Sequence, residues 1–173
     1  MESRPQPGDY PPTYEKYYAQ LPATPIMELM AQQPVELLSL ISGLSEEQAS
    51  RAYAPGKWNT KQVLGHLIDT ERIMLYRALS ISRGEEQSLP GFDENTYVEN
   101  GGFTARALAN LIQEYELVRK ASLAFFQNLD PAALLRRGKA NNSSMTVNAL
   151  FAFIPAHERH HLNLFKERYL PVW

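Results

Sequence analysis

Four stretches of the chain place apolar residues three and four positions apart. They are Ile26, Leu29, Met30, Leu37, Leu38 and Ile41; Val63, Leu67, Met74, Ala78 and Ile81; Leu108, Leu111, Ile112, Tyr115, Val118, Leu123 and Phe126; and Val147, Leu150, Phe151, Ile154, Leu162 and Phe165. On an α-helix such residues share one face, so each stretch predicts a helix with one side to bury. No segment alternates apolar and polar residues, and no Asn-Gly or Asp-Gly turn joins two such segments, so no sheet is expected. The fold class is all-α, and helices of this length with single apolar stripes most simply form a four-helix bundle.

The boundaries come from local signals. Residues 1–12 carry four prolines and read as an extended N-terminal arm, followed by a short helix over Tyr14–Leu21. Residues 1–24 therefore form the arm with its short helix, and residues 25–173 the bundle. Thr24-Pro25 looks like an N-cap with proline at the first helical position, and Pro34 should kink or split the helix it opens. A brief helical turn is expected at Ser45–Ala49. Asn59 as N-cap with Gln62 three residues on is a capping box, and Trp58 and Val63 supply the hydrophobic staple. That helix should run to about Arg83 and stop at Gly84. Residues 85–103 make a long polar connection, the kind that often carries function. Thr104 is expected to cap the third long helix and Thr146 the last, with a polar turn at Arg136–Ser144 between them.

Composition narrows the function classes. The chain has 173 residues, enough for one domain with a real core, a net charge of −2 and no basic run beyond Arg136-Arg137. That pattern predicts neither a nucleic-acid partner nor a membrane surface. The N-terminus lacks the apolar core of a signal peptide, so the cytoplasm is the default location. There is no cysteine, so any thiol chemistry would need a thiol from outside the chain.

Candidate chemistry lies in histidines. Three of the four occur in His157-Glu158-Arg159-His160-His161, inside the last predicted helix. Positions i and i+4 stand one turn apart, so His157 and His161 can grip one metal ion. A helical wheel sets His161 in the apolar stripe, His157 on its margin and His160 further round the same side, where it is expected to be exposed. Glu158 falls near the stripe's centre, where a carboxylate needs a partner. On the second helix, His66, Thr70 and Arg77 line one edge of the stripe. Two packed antiparallel helices would bring His66 to the other pair and complete a three-histidine divalent site. Asp69, one turn after His66, stands where it could orient that ring, although a solvated helix face is the expected place for Asp69, Glu71 and Arg72. Arg77 is a candidate cofactor-binding residue that needs a partner, with Glu158 one choice. Trp58 and Trp173 read as packing residues. The run also fits the zinc-protease pattern His-Glu-x-x-His. With only twelve residues after His161, no downstream third ligand, and no sheet, the protease reading fails. Glu158 and Asp69 stay candidates for catalytic proton transfer.

Three stretches, in this order and spacing, resemble the DinB/YfiT-like superfamily of metal-dependent four-helix bundles. They are Ala54–Arg77, with Trp58 before the helix and His66-Leu67-Ile68-Asp69 within it; Ser88–Val98; and His157–Leu170. The resemblance spans about Pro25 to Leu170. It implies an up-down-down-up bundle, a divalent ion (nickel or zinc) on His66, His157 and His161, and a homodimer acting on a small-molecule substrate. It also implies one of two activities: S-transfer dependent on a low-molecular-weight thiol, or metal-dependent hydrolysis. The rival reading is a non-catalytic metal-binding or stress-response bundle, and behind it a bundle whose histidines are ordinary core residues. Pro155 does not fit the pattern; it should free the carbonyl of Phe151 and bend the helix beside His157.

Overall fold

The computed structural model describes residues 4–173; residues 1–3, the start of the expected arm, lie outside the described residues. In chain order the elements are α1 (Glu15–Tyr18), α2 (Ile26–Ile41), α3 (Glu46–Ala49), α4 (Thr60–Ser82), α5 (Glu94–Asn100), α6 (Leu108–Gln127), α7 (Pro131–Leu134), β1 (Arg137–Ala140), β2 (Ser143–Thr146) and α8 (Val147–Leu164). The last helix widens into a π turn over Phe165–Tyr169. The four long helices are those the apolar spacing predicts. Each of α4 and α2 packs against both α8 and α6, and two merging cores fill the interior. One centres on Met30, Phe126 and Phe151, the other on Leu37, Leu64, Leu111 and Phe165.

Cross-helix hydrogen bonds reveal the directions. At one end, Trp173 Nε1 donates to Thr60 Oγ1 at 3.1 Å, Lys61 Nζ to the Thr104 carbonyl at 3.2 Å, and the Leu108 amide to Glu46 Oε1 at 2.9 Å. The starts of α4 and α6 thus meet the ends of α2 and α8. The sense is up, down, down, up. Two consecutive helices that run the same way need a return segment along the bundle, about 34 Å for 23 residues. This explains the long connection after Gly84.

That long polar connection has structure of its own. It holds α5, capped by Asp93 Oδ1 accepting from the Thr96 amide at 2.7 Å, and a 3-10 turn at Phe103–Ala105. Phe103 is buried on α4 against Gly65; a Cβ at residue 65 would overlap the ring. Helix α6 starts later than expected. Thr104 lies in the 3-10 turn, where its hydroxyl accepts from Asn59 Nδ2 at 2.9 Å, and Glu46 serves the first α6 amide instead.

Local caps at other ends form as the sequence implies. Asn59 and Gln62 complete their box, as do Ser45 and Gln48, and Thr146 accepts from the Ala149 amide. Gly84 follows α4 with φ +90°, the left-handed conformation that ends helices. Helix α2 begins one residue later than expected, with Pro25 at the N-cap, and passes Pro34 without a break. The expected polar turn at residues 136–144 is an antiparallel hairpin, β1 with β2. Its turn residues Asn141 and Asn142 both have positive φ, 50° and 58°. Two such residues in sequence make the tight turn whose twist suits a hairpin, and asparagine tolerates it nearly as well as glycine. The arm packs on the bundle: Tyr18 Oη donates to the Ala149 carbonyl at 2.8 Å, and the Thr146 amide to the Asp9 carbonyl at 2.9 Å. Among the described residues, no helix is long and apolar enough to cross a membrane.

Candidate metal centre

The antiparallel contact between α4 and α8 brings His66, His157 and His161 together. His66 Nε2 lies 3.1 Å from His157 Nε2, and His161 Nε2 lies 3.2 Å from the same atom. Two nitrogens each about 2.0–2.1 Å from one ion stand this far apart when they subtend about 100°. All three rings are buried. Proline 155 does not displace His157, because α8 stays helical through it. His160 is half-buried and points out of the cluster, edge-on to Tyr17.

The rings are gripped from outside. Trp58 lies 4.9 Å from His66 between centroids, held by Tyr169 Oη donating to its carbonyl at 2.7 Å. Phe153 stacks on His157 at 5.5 Å and 14°. Trp58, expected only to pack, is therefore a wall of the site. Burial pushes the His66 pKa down to about 4. Burial and the neighbouring imidazoles take His157 and His161 well below the ordinary histidine value. The cluster is neutral at pH 7, and neutral imidazole is the ligating form, so no proton has to leave before a cation binds. Three imidazole donors without thiolate suit zinc, nickel, copper or iron. The residues present fit a divalent ion.

Behind His157 lies an ionic network that the expectations above miss. Arg119, on α6, donates from Nε to both oxygens of Glu71 (3.0 and 3.1 Å) and from Nη2 to Glu158 Oε2 at 2.6 Å. The Tyr115 hydroxyl donates to the other Glu158 oxygen. Arg119 Nη1 reaches the Met30 carbonyl at 3.1 Å, the group that Pro34 leaves without its helical donor. All four side chains are buried.

This corrects three expectations. Glu71 is not on a solvated face, and the partner of Glu158 is Arg119, not Arg77. With both oxygens engaged, Glu158 is also not a free base. A signal was present: Arg119 falls in the stripe of Leu111, Tyr115, Ser122 and Phe126, and Glu71 in that of Leu67 and Met74. Burial raises the Glu158 pKa, opposed by Arg119 and the Tyr115 hydrogen bond.

Asp69 lies 3.9 Å from Arg72 on the outer side, and partial burial raises its pKa. Arg72 is half-exposed and pairs with Glu114 at 2.5 Å. Asp69 is thus half-buried beside Arg72 on the outer side of α4. Arg77 is buried and donates to the Pro90 carbonyl at 2.8 Å. It borders a cleft of about 160 Å³ that opens on His66 and His157 and is walled by Tyr14, Tyr17, Phe92 and Phe153. The arm, through Tyr14 and Tyr17, and the connection, through Phe92, thus build the approach to the histidines.

A family model described as the DinB superfamily matches residues 29–165. Among solved structures, YfiT from Bacillus subtilis, "a probable metal-dependent hydrolase with an unusual four-helix bundle topology", aligns with a TM-score of 0.77. The identity is 16%, with 84% of this chain and 85% of that chain covered. That likeness establishes the four-helix bundle fold. No curated protein sequence matches the chain.

Proposed function

This chain belongs to the DinB superfamily, and from that premise we propose that it is a metal-dependent hydrolase of a small-molecule substrate. One observation carries the reading: three buried, neutral imidazoles hold their ligand nitrogens within 4.8 Å of one another, two of them lining a cleft. His66, His157 and His161 would hold a single divalent ion, zinc or nickel. Three protein ligands leave coordination positions open, and such an ion supplies Lewis-acid polarisation and makes a water or thiol ligand more acidic.

The chain's own groups do the rest. Trp58 and Phe153 fix the ring planes and keep bulk water from the ligating nitrogens. Tyr14, whose phenol burial holds protonated, offers a hydrogen-bond donor in the cleft. Glu158 acts by position: tied to Arg119 and Tyr115, it anchors α8 one residue from His157. Asp69 takes no part in proton transfer in this reading. Hydrolysis is preferred to thiol transfer because a protein of the same fold is described as a probable metal-dependent hydrolase. The proposal includes a homodimer in the cytoplasm.

The test has two halves. Elemental analysis should find about one divalent ion per chain, falling to near zero in H66A, H157A and H161A; full occupancy in the triple variant would overturn the site. The loaded protein should then cleave members of an ester, amide and phosphoester panel, with activity lost to a chelator and restored by the ion. Turnover that appears only with an added low-molecular-weight thiol and an electrophile would assign the transferase reaction instead. A loaded protein inert in both assays, but losing much of its thermal stability on chelation, would assign the non-catalytic bundle.

A further inference from the structure

The seam along α4 does not end at His66. Thr70 and Arg77 continue it on the same face and border the same cleft. Thr70 is 4% exposed, and its hydroxyl has no hydrogen-bond partner. A buried hydroxyl left unpaired is costly, so its place in a cleft points to a ligand. Arg77 is 3% exposed, and among the described residues no carboxylate lies within ion-pairing distance of it. Its five N–H donors meet the Pro90 carbonyl and, at 3.9 Å, the sulfur of Met74. Burial lowers its pKa from the ordinary guanidinium value, yet arginine stays charged at any physiological pH. A buried cation without a counter-charge is unfavourable unless an anion supplies the charge.

We propose that Arg77 and Thr70 form an oxyanion subsite, so that the substrate of this cleft is a small organic anion bearing a carboxylate or phosphate. The subsite rests on the reading of the cleft as the active site. Thr70 and Arg77 are seven residues apart, about 10 Å along the helix, and a long helical side chain leans back toward the N-terminus. The guanidinium, which reaches back as far as the sulfur of Met74, therefore lies beyond Thr70 on the side away from His66. An anionic group held there leaves the other end of the molecule over the histidines. Phe92 covers the guanidinium at 5.9 Å from its ring centroid, shielding the charge from water and strengthening its pull on an anion. Asn141, at the hairpin turn, is tied to this wall by its amide donating to the Leu89 carbonyl at 3.0 Å. Glu94 is the carboxylate on the rim; it is exposed, so solvent screens it. A cleft of about 160 Å³ suits a small molecule.

The experiment titrates metal-free and zinc-loaded protein with inorganic phosphate, acetate and neutral acetamide. Binding is followed by the proton–nitrogen NMR signal of the arginine Nε–H groups and by melting temperature. Phosphate and acetate should shift one arginine signal, absent in R77M, saturably in both forms of the protein; acetamide should not. R77K should bind about tenfold more weakly because a point charge replaces the planar fork, and T70V about three- to tenfold more weakly for the lost hydrogen bond. R77M should lose binding while keeping or raising the melting temperature, since an unpaired buried charge is removed.

An arginine that only braces Pro90 predicts the reverse, lower stability and unchanged binding, and would overturn the subsite. So would the absence of saturable binding by either anion. Phosphate binding confined to the zinc form and indifferent to R77M would place the anion on the metal, leaving the metal centre standing and the subsite refuted. Arg77-dependent binding in protein that takes up no metal would support the subsite while the metal reading fails. Should R77M not fold, R77K and T70V with wild-type affinity would refute it equally.

Discussion

Replacing Arg119 by methionine tests the buried network. In the native fold one guanidinium lies between Glu71 and Glu158, a net charge of −1 shared over several hydrogen bonds. In R119M two carboxylates remain, 3% and 1% exposed, with no cation between them. Breaking a buried pair by removing one partner destabilises by about 3–5 kcal/mol. For a domain of this size each kcal/mol shifts the midpoint by about 2–4 °C, so a fall of about 6–20 °C is expected. E158Q and E71Q each leave one neutral pair and should lose less. Replacing Glu71, Arg119 and Glu158 together by apolar residues of similar volume should recover most of the loss, because the desolvation cost goes with the charges. Urea and thermal unfolding of the chelated protein, where metal binding cannot mask the change, measure the series. An R119M variant within about 1 kcal/mol of wild type would refute the assignment, as would a triple replacement less stable than R119M.

Other outcomes follow from smaller features. Adding zinc at a hundredfold over its dissociation constant should stabilise the protein by about 2.7 kcal/mol, and a chelator should reverse it; equal melting curves would count against a site selective for the native state. Glu36 is held by Arg159 (2.7 and 2.8 Å) and Lys166 (2.7 Å), and hydrogen bonding from Arg159 draws its pKa down to about 2 from 4.5. A depressed carboxylate favours the native state above the unfolded pKa. Its contribution, about 1 kcal/mol or less after screening, should fade as pH falls from 4.5 to 2 and be missing in E36Q at every pH. N142G should leave the hairpin within about 0.5 kcal/mol of wild type, since the strain glycine relieves is small and its larger entropy loss on folding offsets it, whereas N142V should cost about 1 kcal/mol or more; calorimetry separates them. G65A should displace Phe103 and loosen the crossover, seen as faster proteolysis between residues 84 and 107 while α8 stays protected in hydrogen exchange.

Much of this protein is determined within one or two helical turns. The caps at Ser45, Asn59 and Thr146 depend on residues three apart, and the seam of His66, Thr70 and Arg77 on residues four and seven apart. The same holds for the pairing of His157 with His161 and the turning away of His160. Local backbone geometry brings such residues together whatever the rest of the chain does, so a wheel and a capping rule suffice. The hairpin was local too, but its signal was two asparagines at positive φ rather than a glycine.

Other features needed the packed bundle. Four buried charges, those of Glu71, Arg77, Arg119 and Glu158, allow several pairings, and only the contact of α4, α6 and α8 chose Arg119 for both glutamates and left Arg77 without a carboxylate among the described residues. Glu46 reaches α6 across 62 residues, and the carbonyl that Pro34 leaves free is taken by a guanidinium from another helix. The return path after Gly84 exists because α4 and α6 run the same way. Such pairings join residues far apart in sequence, and their energies depend on helix direction and depth of burial, quantities that no short window of the chain contains.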